Sequence, residues 1–139
     1  MREYKKSYTP LILWSIVLTP AMVAAGMLSE SMGMNDRSIV AVSMLTVIVM
    51  LLVLMWIIWK GEYVYWINGG PSFEQAKAVG SEKRRDYAWR HFAAILKGSA
   101  IALVLLTAEY FLKAHVLVMI LSTAVCIIAA AISTARIKW

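Results

Sequence analysis

Four uninterrupted apolar runs divide this chain, at residues 11–28, 39–59, 92–112 and 116–135. Each is close to the roughly 20 residues that an α-helix needs to cross about 30 Å of hydrocarbon. The runs are continuously apolar rather than alternating, and an open sheet edge in lipid would leave backbone groups unpaired, so strands are excluded. The pattern predicts an all-α membrane protein with a single domain, 1–139. Its four transmembrane helices would form two antiparallel hairpins, with short cytoplasmic interfacial helices in the 60–91 loop between spans two and three.

Local signals sharpen the elements. Thr9 suits the cap of the first helix and Pro10 its first turn, where no N–H partner is needed. Pro20 falls mid-span, where it removes one backbone hydrogen bond and predicts a kink. The basic start, apolar centre and small residues Ala24, Ala25 and Gly26 also fit a secretory signal peptide, cleaved after Ala25 to leave three spans. The turn between spans three and four is very short, and the stretch 109–115 around it contains no Gly or Pro. A single helix over 92–135 would measure about 66 Å, twice the bilayer core, so the chain must turn near Lys113.

Composition agrees with the spans: 61% of residues are hydrophobic and 16% charged, against about a quarter charged in soluble domains. The mean hydropathy is +0.71. Charge then sets orientation. Arg2, Lys5 and Lys6 precede span one, and Arg136 and Lys138 follow span four. Lys60, Lys77, Lys83, Arg84, Arg85, Arg90 and Lys97 follow span two, making twelve cations on one side against Arg37 and Lys113 on the other. The positive-inside rule places the rich side, with both termini, in the cytoplasm of a plasma (inner) membrane protein.

The distinctive chemistry lies in 60–97. Trp56, Trp59, Tyr63, Tyr65 and Trp66 mark headgroup level. Asn68-Gly69-Gly70-Pro71 reads as a turn, and Ser72 with Gln75 as a capping box opening a short helix that ends at Gly80. Ser81 suits the cap of a further interfacial helix that bends into span three around Gly98. On it Lys83, Arg84, Arg85 and Arg90 alternate with Tyr87 and Trp89. Basic residues near an anionic leaflet each gain roughly 1 kcal/mol. Lys83, Arg84, Arg85, Trp89 and Arg90 therefore read as a surface for anionic lipid headgroups or a membrane-protein partner, beside the plainer role of anchoring. A basic patch pressed against a bilayer does not suit nucleic acid.

Inside the spans, Glu109 is the one acid. An intramembrane carboxylate suggests proton or cation coupling. An interfacial salt bridge to Lys113, at i+4 in the favourable order, accounts for it as well. Ser122, Cys126, Ala130 and Thr134 recur every four residues and let backbones approach, either against span one, where Ala21 and Ala25 are small, or across a homodimer. Cys126 is the single cysteine, which rules out an internal disulfide. Met27, Met32, Met34 and His115 are too sparse a set to predict a metal site. His91 and His115 belong to opposite faces, and no HExxH, GxSxG or P-loop ending occurs, so neither an enzyme nor a cofactor is expected. Two readings of function remain. One is an accessory or regulatory assembly component working through the basic aromatic face. The alternative is an oligomeric small-solute or ion transporter using Glu109.

Overall fold

The structure is a computed structural model describing residues 4–139; Arg2, one of the twelve cations, lies outside them. The described residues are helical and contain no strand. Five α-helices follow in order: α1 Thr9–Ser31, α2 Asp36–Gly61, α3 Phe73–Lys77, α4 Ser81–Phe111 and α5 Val116–Thr134, with a 3-10 turn at Val64–Trp66. All but α3 are long and apolar enough to cross a membrane.

Each element starts for a readable reason. Asn35 caps α2 by accepting a hydrogen bond from the Ser38 N–H at 3.0 Å. Ser72 and Gln75 form the reciprocal capping box of α3, as expected. His115 caps α5, its Nδ1 accepting from the Leu117 N–H at 3.2 Å. At α1, Thr9 is the first helical residue rather than the cap, which is Tyr8, and the helix runs unbroken through Pro20. At α4, Gly80 takes the cap position and the Ser81 hydroxyl turns away to Glu62.

The interfacial helix and span three are one element. α4 is continuous for 31 residues, about 46 Å at 1.5 Å per residue, and runs through Gly98 without a break in the helix. Its buried side chains share one stripe: Arg84, Tyr87, Ala88, His91, Ile95, Ser99, Ala102 and Leu106. The spacing of three and four residues holds one face inward from end to end.

α2 is the central helix, packing on α1, α4 and α5, while α4 and α5 pack most extensively on each other. A tilted indole ties α1 to α2, Trp14 Nε1 donating to the Met50 carbonyl at 2.9 Å. The small positions of α5 meet α4, not α1. A Cβ on Gly98 would overlap the Cβ of Ala130 and lie 3.3 Å from the Cys126 carbonyl oxygen. Gly98 is therefore the point of closest backbone approach, which is the reason for a glycine within a helix that otherwise pays for it in chain entropy.

The helix ends collect into two groups. At one end the Arg37 Nε donates to the Ala114 carbonyl at 3.2 Å, in the turn between α4 and α5. Ser38 and Tyr110 share a hydroxyl hydrogen bond at 3.0 Å beside it. At the other end Tyr4, the end of α2, the 3-10 turn, α3, the start of α4 and Trp139 form the largest buried cluster, around Val64, Ala76 and Tyr87.

We expect Gly98→Ala to lower the stability of the detergent-purified protein by about 1–3 kcal/mol, the usual cost of overpacking. Ala130→Gly in the same chain should recover part of that loss. Thermal unfolding followed by circular dichroism reads both.

Candidate functional site

The end where the basic residues gather is built around Glu62 and Arg84. Gly61 ends α2, and the ring of Tyr63 folds back so closely over it that any Cβ would collide. Glu62 then takes a left-handed conformation, φ 59°, which costs a non-glycine residue about 1 kcal/mol. Two contacts to its side chain hold it there. Ser81 donates its hydroxyl to Oε1, and Arg84 Nε meets Oε2 at 2.8 Å.

The Arg84 guanidinium joins four segments. Beyond Glu62, its Nη1 donates to the Ala76 carbonyl at 3.1 Å, which also accepts from the Val79 N–H, and to the Val79 carbonyl just past the end of α3. Its plane lies 4.0 Å from the centre of the Tyr4 ring. Tyr4 in turn donates its hydroxyl to the Glu62 carbonyl at 2.7 Å and stacks on Phe73 at 5.4 Å. Ser7 completes the strap: its N–H and carbonyl both bond the Tyr65 hydroxyl at 2.8 Å, and Trp66 Nε1 donates to the same carbonyl at 3.2 Å. Burial pushes the Tyr4 phenol up to about 12, against a smaller downward pull from Arg84. Burial likewise raises Tyr65.

The expected basic patch therefore separates. Arg84 is 8% exposed and fully engaged inside the protein, so its side chain is not presented to a lipid or partner. Lys83, Arg85, Trp89 and Arg90 remain on the outside of α4. Lys83 places its ammonium 4.9 Å from the Trp139 ring centre, and Arg85 lies 5.8 Å over Trp59. Trp59, Trp89 and Phe92 form an aromatic triangle with centre distances of 5.5, 5.6 and 6.4 Å. Arg90 pairs with Asp86 at 2.7 Å, well exposed, a pair worth a few tenths of a kcal/mol. The face thus offers cations held on aromatic plates rather than locked in strong ion pairs. The phase of α4 decides who points out. Reading the stripe of span three backward in steps of three and four from Leu106 reaches Arg84, and that signal in the sequence would have singled it out.

The intramembrane candidates resolve differently from expectation. α4 ends at Phe111, and Lys113 adopts φ 56° in the turn. That takes Lys113 off the helical i+4 position, and no Glu109–Lys113 ion pair occurs among the described residues. The half-buried Glu109 carboxylate accepts instead from the Ser122 hydroxyl of α5 at 2.8 Å. Of the small positions on α5, Ser122 faces Glu109, Cys126 and Ala130 face Gly98, and Thr134 donates to its own helix at the Ala131 carbonyl, 2.6 Å away. No group of His, Cys, Asp and Glu suited to holding a metal ion occurs among the described residues.

Comparison with protein-family models, with curated proteins and with solved structures gave no match. The residues themselves carry the functional reading.

Arg84→Gln should cost about 3 kcal/mol of stability, because it removes the cation that pairs with the part-buried Glu62 and the guanidinium donor to the Val79 carbonyl. Arg85→Gln, on the exposed side of the same turn, should change stability by less than about 0.5 kcal/mol. Denaturant unfolding in detergent separates the two. A second expectation concerns alkali. The folded Tyr4 phenol stays protonated to about pH 12, whereas an unfolded one ionises near about 10. Its stabilising effect is complete below about pH 10 and is lost as pH rises through about 12. A tyrosinate absorbance titration should lose its latest step in Tyr4→Phe.

Proposed function

We propose that this chain is a multi-pass protein of the plasma (inner) membrane, with α1, α2, α4 and α5 spanning the bilayer as two antiparallel hairpins. Both termini and the 60–91 loop face the cytoplasm. It works without catalysis, as an accessory or regulatory assembly component, through the basic aromatic face on the first turns of α4.

Membrane insertion is supported by what the bundle leaves uncovered. Ile12, Leu13, Ile16, Val17, Val23, Met27 and Leu28 of α1 are all exposed, and so are Val104, Leu121, Val125, Ile128 and Ile132 of α4 and α5. Such a belt is far larger than the apolar patches of a water-soluble monomer, and lipid is the solvent that accepts it. Orientation is supported by the twelve cations against two. Retention of α1 rather than its cleavage as a signal peptide is supported by the strap that Tyr4 and Ser7 make to Glu62, Tyr65 and Trp66.

The observation that carries the functional reading is the division among the cations of α4. One is sealed inside as structure, while Lys83 and Arg85 lie outside over Trp139 and Trp59, and Arg90 is left exposed in its pair with Asp86. Exposed cations backed by aromatic rings at headgroup depth suit anionic lipid headgroups or an acidic membrane-protein surface. A transport reading rests on a different observation, the Glu109 carboxylate held by Ser122 between two spans.

Lys83→Gln, Arg85→Gln and Arg90→Gln combined should strip a co-purifying partner or anionic lipid from the protein in mild detergent. The melting temperature should stay near that of the wild type, since Arg84 is untouched. Proteoliposomes of the wild type should show no solute or ion flux. A flux that Glu109→Gln abolishes would replace assembly with transport.

A further inference from the structure

One groove on the membrane face of the bundle is not accounted for by packing. It runs between α4 and α5, has a volume of about 760 Å³, and is floored by Ala94, Gly98, Cys126 and Ala129. Arg90 and Lys97 line its wall. They are seven residues apart, two turns along the same face of α4 and about 10 Å along its axis. Lys97 is exposed within the apolar run of span three. It makes no ion pair or hydrogen bond among the described residues.

We propose that this groove is a binding site for one anionic phospholipid of the cytoplasmic leaflet. An acyl chain lies on the small-residue floor between α4 and α5, and the phosphate is held by Lys97 with Arg90 beside it. Three features fit one another. The small side chains of Ala94, Ala129 and Ser133 leave a groove beside the tight Gly98–Ala130 contact, where larger side chains would have filled the space. Lys97 has an apolar stem long enough to lie along that channel while its ammonium rises to the headgroup level. Arg90 already pairs with Asp86, so the charge left without a counter-ion among the described residues is that of Lys97, and an anionic occupant would supply one. A second copy of the chain docked on the same face would bring two Lys97 side chains together in a medium where like charges are costly, so the complementarity selects lipid over self-association.

The proposal rests on the membrane reading above and shares Arg90 with the partner face, but Lys97 and Ala129 lie outside that face, so variants at these two positions let the readings fail separately. Purified protein in mild detergent is mixed with phosphatidylglycerol or phosphatidylcholine and examined by native mass spectrometry. One phosphatidylglycerol per chain should be retained in preference to phosphatidylcholine. Lys97→Gln should weaken that retention about fivefold, the factor expected for one basic residue at a leaflet surface. Ala129→Leu should abolish it with every charge in place, by filling the groove. Thermal melting confirms that both variants remain folded. Equal retention of the two lipids, or wild-type retention by both variants, overturns the site. So does a dimer that Ala129→Leu dissolves without any lipid preference, which would make this face a homodimer contact. Loss of partner or lipid in a Lys83→Gln, Arg85→Gln double variant, which keeps Arg90, alongside unchanged Lys97→Gln would sink the groove while leaving the assembly reading standing.

Discussion

The Arg84 guanidinium is the point on which the polar end of this protein depends. A buried cation is unfavourable unless its charge and its donors are met, and here each partner comes from a different part of the chain. Glu62 brings the end of α2, Ala76 and Val79 bring the end of α3, and Tyr4 brings the segment before α1. The arrangement is mutual. Glu62 holds a left-handed conformation because its carboxylate is anchored, and α3, only five residues long, is too short to persist by its own hydrogen bonds. The guanidinium terminates it and fixes it at once.

From that junction the rest of the architecture follows along α4. One stripe of side chains carries the inward face from Arg84 through Ile95 to Leu106, so whatever fixes the rotation of α4 at the polar end also fixes it between the apolar helices. There the driving force differs. In the proposed membrane setting apolar side chains would gain little by leaving lipid for one another, and close backbone packing takes over. Gly98 against Ala130 supplies it. The same rotation sends Lys83, Arg85 and Arg90 outward and leaves Lys97 beside the α4–α5 groove. A structural arginine and a set of exposed cations thus arise from one run of neighbouring residues, sorted by 100° of helical rotation per position.

The outer end is organised by lighter means. Arg37 closes the last carbonyl of the α4–α5 turn, Ser38 meets Tyr110, and His115 caps α5. Glu109 and Lys113 look like a helical pair in the sequence, yet the turn places Lys113 in a left-handed conformation and the pair is not made. Ser122, read in the sequence as a packing position, is the group that satisfies the acid.

What the sequence determined by itself was whatever depends on local composition. The apolar runs define four long helices because each must satisfy its own backbone within one segment, and the Ser72–Gln75 box starts α3 because both of its hydrogen bonds close within four residues. The tertiary structure decided what depends on helix phase and on partners distant in the chain. Lys83, Arg84 and Arg85 are alike as sequence, and only the face that α4 turns toward α2 and α5 makes one of them internal. Gly98 reads as a bend in isolation, and becomes a contact point once Ala130 lies across from it. Glu62 and Ser7 carry no local signal at all, because their partners are 22 and 58 positions away and are brought within reach only by the fold.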